Sequence, residues 1–536
     1  MNRKNIAAEL LIQLKEVLFT YHNDSFHRKE KILIQLSKFN LHTKTVLEYH
    51  DCLLFIMAYP ENEVLLKLAE KEIKRIAEFT KKLKTKGSSK LNDTGLPNTQ
   101  MITRFSCDAL MEMLHDFKCN IEIDSFETGG HDLNTLLNIT LPNVLKQETT
   151  AGFDNLELLY HLGIKPQNRL KFLLAEFNKL NDNPLLKDYL WESLKIYLNI
   201  GHKSKLYSRS YNRINNLGVF YQNELLKKFD AFELINSKLP KPNLMDEQAK
   251  LALIHTIKKS MLLNMRETDT STYMDVSSIE FYELERGVSI AIYGLTANRQ
   301  LPYQSYIGYT AFKNGFPMAY GGSWVFGFTA MFGLNILEAF RGGESGYIMC
   351  QLLRTYLQRF KLNYIEVENY QFGKDNPDGI KSGAFWFYYR YGFRPTDKKL
   401  AKIAAIEYDK ILKTKNYRTP EKILVNLCES NLALSFSNRI PIKKEEVFVK
   451  ILDLIKYDYN GDNIAASQYA LKEFDRKTNV KSIKTEESSN LKQEISLWAE
   501  AYKVEDKKRL GILMKMLQLK NNDAFNYNEL VKKFFC

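Results

Sequence analysis

Residues 338–348 read EAFRGGESGYI. The run Arg341, Gly342, Gly343, Glu344, Ser345 and Gly346 is the stretch of this chain whose residue types best suit an anion. Glycine costs backbone entropy, so three glycines in so short a run point to a close approach to the backbone. An apolar run, FGLNIL, precedes the turn, and the helical-looking YIMCQLLRTYLQRF follows it. Where a strand hands over to a helix, the first helix amides have no internal partner and the helix dipole is positive. Arg341 adds a formal charge. The spacing excludes three familiar turns. No Gly-Lys-Ser/Thr follows, so this is not a P-loop. Gly343-Glu344-Ser345-Gly346 lacks the G-x-S-x-G of a nucleophile elbow. No second acidic strand end follows as a dinucleotide fold requires. A tight structural turn with a helix start is the other reading of the same residues.

The elements that must hold this turn begin near residue 275. GVSIAIYGL, SYIGYTAF, PMAYGGSWVFGF and FGLNILEAF are short, aromatic and β-branched, and Asn314-Gly315 between the second and third is a hairpin turn. The helix YIMCQLLRTYLQRF leads to a strand NYIEVENY, the polar loop QFGKDNPDG and the aromatic helix AFWFYYRY. This order, with its single β-hairpin, makes a mixed α/β unit. Gly321-Gly322 marks either a bulge or the lining of a groove. Residues 1–86 carry apolar positions at three- and four-residue spacings, as do 131–265 and most of the chain beyond 396. CNIEIDSF alternates as a short strand does. The stretch 476–490 reads as a loop or linker. The expected organisation is α/β (α+β overall): a helical region 1–270, a mixed-sheet domain 271–396 and a helical region 397–536.

The blocks FGLNILEAF, FRGGESGYIMCQLL, YIEVENY and AFWFYYRYGF, taken together, resemble the GNAT superfamily of acyl-coenzyme A-dependent N-acyltransferases. The resemblance covers roughly residues 275–395. It implies that Arg341, Gly342, Gly343, Glu344, Ser345 and Gly346 cradle the pyrophosphate of acetyl-CoA or another acyl-CoA, used as co-substrate without a metal. The family's A-x-x-x-Y-x-x-x-G-F signature falls on Ala384, Tyr388, Gly392 and Phe393. The implied chemistry is acyl transfer from a thioester to an amine, small molecule or protein, with Tyr388 as the acid that protonates the departing thiolate. No histidine follows His255, so the implied base is a carboxylate, with Glu338, Glu366 and Glu368 as candidates and Glu338 at the end of the strand that faces the cofactor. Tyr388 also lies in an aromatic stretch, Phe385 to Tyr389, that core packing alone explains. Three features depart from the family: Glu344 stands where a glycine is usual, Tyr347 is bulky, and the chain turns helical after Pro395 where closing strands are usual. They motivate a second reading, a helical interaction protein whose α/β domain is a degenerate relic.

The chain has 536 residues, 45% hydrophobic and 12% aromatic, enough for about three packed domains. A formal charge of +13 suits acidic partners and admits a third reading, nucleic-acid binding. The interleaved Tyr207-Ser208-Arg209-Ser210-Tyr211-Asn212-Arg213 is short for such a surface, and a helix surface is the reading preferred for it. No run is apolar and long enough to span a membrane, and the N-terminus reads as an amphipathic helix rather than a signal peptide, so the expectation is a cytoplasmic protein of bacterial type. Six cysteines without a C-x-x-C pair argue against a disulfide framework or a zinc site.

Overall fold

A computed structural model describes residues 3–22, 25–83, 88–215, 217–437, 441–478 and 486–536. The chain forms two compact units. Unit 1 comprises residues 1–224, 247–272 and 314–317. Unit 2 comprises 225–246, 273–313 and 318–536. Residues 225–246, read from sequence as part of the helical N-terminal region, are thus grouped with the large sheet, as are residues 397–536. Among the described residues no helix is long and apolar enough to cross a membrane.

Unit 1 opens with helices whose apolar stripes meet. The helix Glu63–Lys81 is typical. Asn62 caps it by accepting the Leu65 N–H at 2.8 Å, and Leu65, Ala69, Ile73, Ile76 and Ala77 form its buried face. A three-stranded antiparallel sheet follows: β1 (Met101–Thr103), β2 (Asn120–Phe126) and β3 (Ile196–Gly201), with β3 central. The strand expected at CNIEIDSF is β2. The segment LKIYLNI, expected to be helical, instead forms β3. The preceding helix stops at Ser193, and Ile196, Leu198 and Ile200 then alternate with less buried neighbours, the pattern of a strand with one covered face.

Unit 2 is built on an eight-stranded mixed sheet. Its strands are β4 (Glu280–Glu283), β5 (Val288–Gly294), β6 (Ser305–Lys313), β7 (Phe316–Phe326), β8 (Thr329–Ile336), β9 (Tyr364–Val367), β10 (Arg394–Pro395) and β11 (Leu432–Ser435), in the spatial order β10-β11-β9-β8-β7-β6-β5-β4. All seven residues of β5 are buried, as expected of a strand covered on both faces. The fold is mixed α/β, as the sequence implied. Asn314 (φ 46°) and Gly315 (φ 79°) make the tight turn between β6 and β7, the backbone that a two-residue hairpin loop needs. The glycines Gly321 and Gly322 form no bulge. They pair in register with Leu334 and Gly333, and a side chain at either would collide with Tyr309 or Tyr306.

The strand–helix–strand order predicts adjacent parallel strands at 332–340 and 363–370. β8 and β9 are parallel neighbours, but their pairing lies just ahead of residue 332 and β8 ends at Ile336. β8 and β9 pair through Thr329–Tyr364, Ala330–Ile365 and Met331–Glu366, with the helix Ser345–Arg359 connecting them. The expected absence of closing strands is corrected. Leu432–Ser435 pairs antiparallel with β9, and Arg394–Pro395 pairs with it in turn. The strand is only four residues long and follows helical text, so its own periodicity does not announce it. Of the expected linker 476–490, the helices Asn463–Thr478 and Glu486–Ala501 take the ends, and 479–485 lies outside the described residues. Those C-terminal helices share a core centred on Trp498, which packs against Tyr303, Phe326 and Phe534.

The hairpin turn is testable. In Gly315→Ala the residue keeps a positive φ and its Cβ meets the Ile214 carbonyl. Chemical denaturation is expected to show a loss of about 1–3 kcal/mol or more; an unchanged midpoint would contradict the turn geometry.

Candidate active site

The glycine turn sits where β8 ends. β7 and β8 remain paired as far as Ala319–Ile336, but β9 leaves β8 after Met331–Glu366. The β8 edge from Phe332 to Ile336 therefore diverges from its parallel neighbour. Leu337 begins a short turn, Glu338–Phe340, and Gly342 takes φ 84°, a conformation that glycine adopts without strain. The first helical hydrogen bond runs from the Ile348 N–H to the Glu344 carbonyl at 3.0 Å. The amides of Ser345, Gly346 and Tyr347 therefore have no acceptor within the helix.

Glu344 points inward. It is 1% exposed, and its carboxylate is met by three groups: Lys313 Nζ at 2.8 Å, Arg286 Nη2 at 2.7 Å and the Leu226 N–H at 2.8 Å. Lys313 Nζ also donates to the Arg286 carbonyl at 2.6 Å. Burial pulls the Lys313 ammonium down to about 8, against the opposing pull of Glu344. Burial would raise the Glu344 carboxyl, but Lys313, the Leu226 amide and Arg286 together hold it below the usual carboxylate range. The pair is therefore ionised at neutral pH. Two cations face one carboxylate, so its charge is fully engaged beneath the turn. The sequence signal was available but faint: Lys313 is the one charged residue in the otherwise apolar and aromatic run of β6.

Gly346 has a neighbour of its own. A Cβ there would collide with the phenol of Tyr391. Phe229 stacks on Tyr391 with ring centroids 6.0 Å apart and meets Tyr347 edge-on at 5.7 Å. The segment 226–229 thus lies along the first turn of the helix, latched by the Leu226–Glu344 hydrogen bond, and it places the exposed Lys227 and Lys228 there. Further along, Arg354 donates to the Ser237 carbonyl and Gln358 accepts from the Leu239 N–H. Arg341 is exposed, and its Nε donates to the Ile336 carbonyl at 3.3 Å.

The remaining candidates divide clearly. Tyr388 is 3% exposed and packs edge-on against Phe372, Phe387 and Phe393. Burial pushes its phenol above the usual range. Tyr309 reaches β8, its hydroxyl donating to the Gly333 carbonyl at 2.8 Å. Glu338 is exposed on the turn after β8 rather than on the strand. Glu366 is engaged by Asn431 at 2.8 Å and Lys443 at 2.5 Å, and Glu368 is exposed before the next turn.

Unit 1 also holds an Asp–His–Ser chain: Asp51 to His50 Nδ1 at 3.1 Å, and His50 Nε2 to Ser210 Oγ at 2.9 Å. Its connectivity is that of a nucleophilic triad. Its burial is not, since His50 is 0% and Ser210 2% exposed, which leaves no room for a substrate carbonyl at the hydroxyl. The segment around it is a series of turns rather than the expected helix. Arg209 is paired with Asp51 and Arg213 with Glu70. Among the described residues no group of three or more His, Cys, Asp or Glu is placed to hold a metal ion, and five of the six free cysteines are buried.

Comparison with protein-family models, with curated proteins and with solved structures returns no match.

The Glu344 network makes a testable claim. Glu344→Gln removes the carboxylate that Lys313 and Arg286 share and is expected to cost about 3–5 kcal/mol, as loss of one partner from a buried pair does. A carboxyl held low when folded stabilises above its ordinary value, and that stability is lost as pH falls through the folded value. The melting temperature of the wild type should therefore drop on acidification below about pH 4.5, and the variant should show a shallower drop. Parallel acid limbs in the two proteins would contradict the assignment.

Proposed function

We propose that unit 2 is an acyl-coenzyme A-dependent acyltransferase, acting on an amine. The observation that carries this reading is the parallel pair β8/β9, joined for three residue pairs and then diverging where the glycine turn and helix begin. The turn has a phosphate site's chemistry: three helix amides without helical partners, a carboxylate turned away from them and basic residues at Arg341, Lys227 and Lys228. The inward carboxylate of Glu344 removes the objection that a negative charge in the turn repels a diphosphate. Its charge is spent on Lys313 and Arg286.

In this reading the thioester supplies the acyl group. The chain's residues hold the diphosphate at 344–347, lay the thioester arm along the free edge of β8 and exclude water with the aromatic floor around Tyr309 and Tyr388. The amine nitrogen bonds to the acyl carbon as the carbon–sulfur bond breaks. A carboxylate takes the ammonium proton, directly or through water, and the Tyr388 phenol gives its proton to the departing sulfur. Glu338 is the exposed carboxylate nearest the turn in sequence. A cytoplasmic location fits this co-substrate.

A second reading rests on Tyr391. Its ring occupies the space above Gly346, and Phe229 backs it, so the glycine already serves an internal contact. A degenerate, non-catalytic domain would keep that packing and bind nothing at the turn.

A thermal-shift experiment with acetyl-CoA separates the two. A ligand at about a hundred times its Kd stabilises by roughly 2.7 kcal/mol, so 1 mM acetyl-CoA on a site of about 10 µM affinity gives a clear rise. Ser345→Glu adds a carboxylate at the first helical position, where the dipole favours it, so the variant should fold and lose the rise. Absence of a rise in the wild type would favour the degenerate reading.

A further inference from the structure

The helix Ala384–Arg390 has two working faces. Phe387 packs on Tyr391, which covers Gly346; that face belongs to the glycine turn. Trp386 and Arg390, also four residues apart, line a groove of about 1040 Å³ walled by residues 373–383 and 411–425. The volume is at the upper end of ordinary small-molecule sites. Ile380, Ile411 and Leu424 give the groove an apolar wall. Tyr417 is fixed in it, its hydroxyl donating to Glu407 at 2.8 Å.

Two independent features mark the groove as more than a surface crease. Trp386 is 93% buried, and its ring stacks on Tyr408 with centroids 5.8 Å apart, so the apolar surface it gives the groove is held in place. The second feature is charge. Lys381, Arg390 and Arg418 are exposed at the groove, and none of them enters an ion pair among the described residues. Two carboxylates, Asp375 and Glu421, share the lining, so cations outnumber them three to two. An apolar wall under a rim of unpaired cations suits a ligand that is anionic at one end and apolar along its body.

We infer that this groove binds a small organic anion, a carboxylate or phosphate ester carried on an apolar body. The anion sits among Lys381, Arg390 and Arg418, and the body lies against Trp386 and Ile380. The site is separate from the glycine turn, because the side chains that form the two lie on different faces of one helix.

Calorimetry on the full chain tests this with three probes that share one ring system: naphthalene-2-carboxylate, 2-naphthyl phosphate and the neutral 2-naphthalenemethanol. At least one anion is expected to bind with sub-millimolar Kd, and the tighter of the two identifies the headgroup. The neutral probe should bind at least about tenfold more weakly. The double variant Arg390→Gln/Arg418→Gln should weaken the anion by about tenfold or more, and added salt should weaken it in the wild type. These substitutions are at exposed positions, so the melting temperature and any acetyl-CoA shift should stay where they are. The inference is overturned if neither anion binds at about 5 mM, if the neutral probe binds as well as the anions, or if the double variant binds them unchanged.

Discussion

A carboxylate buried at the start of a helix organises unit 2. Glu344 joins the end of β6 through Lys313, the left-handed Arg286 before β5, and the Leu226 amide of the segment that runs along the helix Ser345–Arg359. Each partner is distant in sequence; the sheet brings Lys313 and Arg286 there, and the segment along the helix brings Leu226. Burial of an unpaired carboxylate would be prohibitive, so the three must arrive together. The position of the glycine turn against the diverging edge of β8 follows from that junction.

The turn answers the question its composition raises in two ways. Gly342 is needed for its own backbone, with φ at 84°. Gly346 is needed for Tyr391, whose ring lies where a Cβ would go. Neither requirement consumes the helix amides, and the charge that would oppose an anion is turned inward and paired. The same geometry therefore supports a phosphate site and shows what must give way for one to fill: the Phe229–Tyr391 stack lies over the first turn of the helix. That stack is held by aromatic contacts, individually worth about 1 kcal/mol, and by the Leu226 N–H bond to the ionised Glu344, worth about 1.5–3 kcal/mol.

Local signals were legible where local physics decides. Asn314-Gly315 specified a hairpin because only such residues take two successive positive φ angles. The pattern FGLNIL–turn–YIMCQLL–YIEV specified a parallel pair because a helical crossover leaves few alternatives. Signals failed where the deciding partner is remote. Leu432–Ser435 becomes a strand because β9 offers it an edge, and nothing within four residues can say so. LKIYLNI follows a helix and shares its apolar density, yet alternation over Ile196–Gly201 wins once β1 and β2 flank it. The inward turn of Glu344 depends on Lys313 and Arg286, 31 and 58 residues away. A buried lysine in an apolar strand was the one clue.

Hydrogen–deuterium exchange with and without saturating acetyl-CoA tests the central claim at the residues that carry it. Slower exchange is expected across 332–347, covering the free edge of β8 and the helix amides of the turn, with β1 to β3 unchanged. Equal exchange across 332–347 in the two states, at a ligand concentration that saturates any site of millimolar affinity, would contradict it.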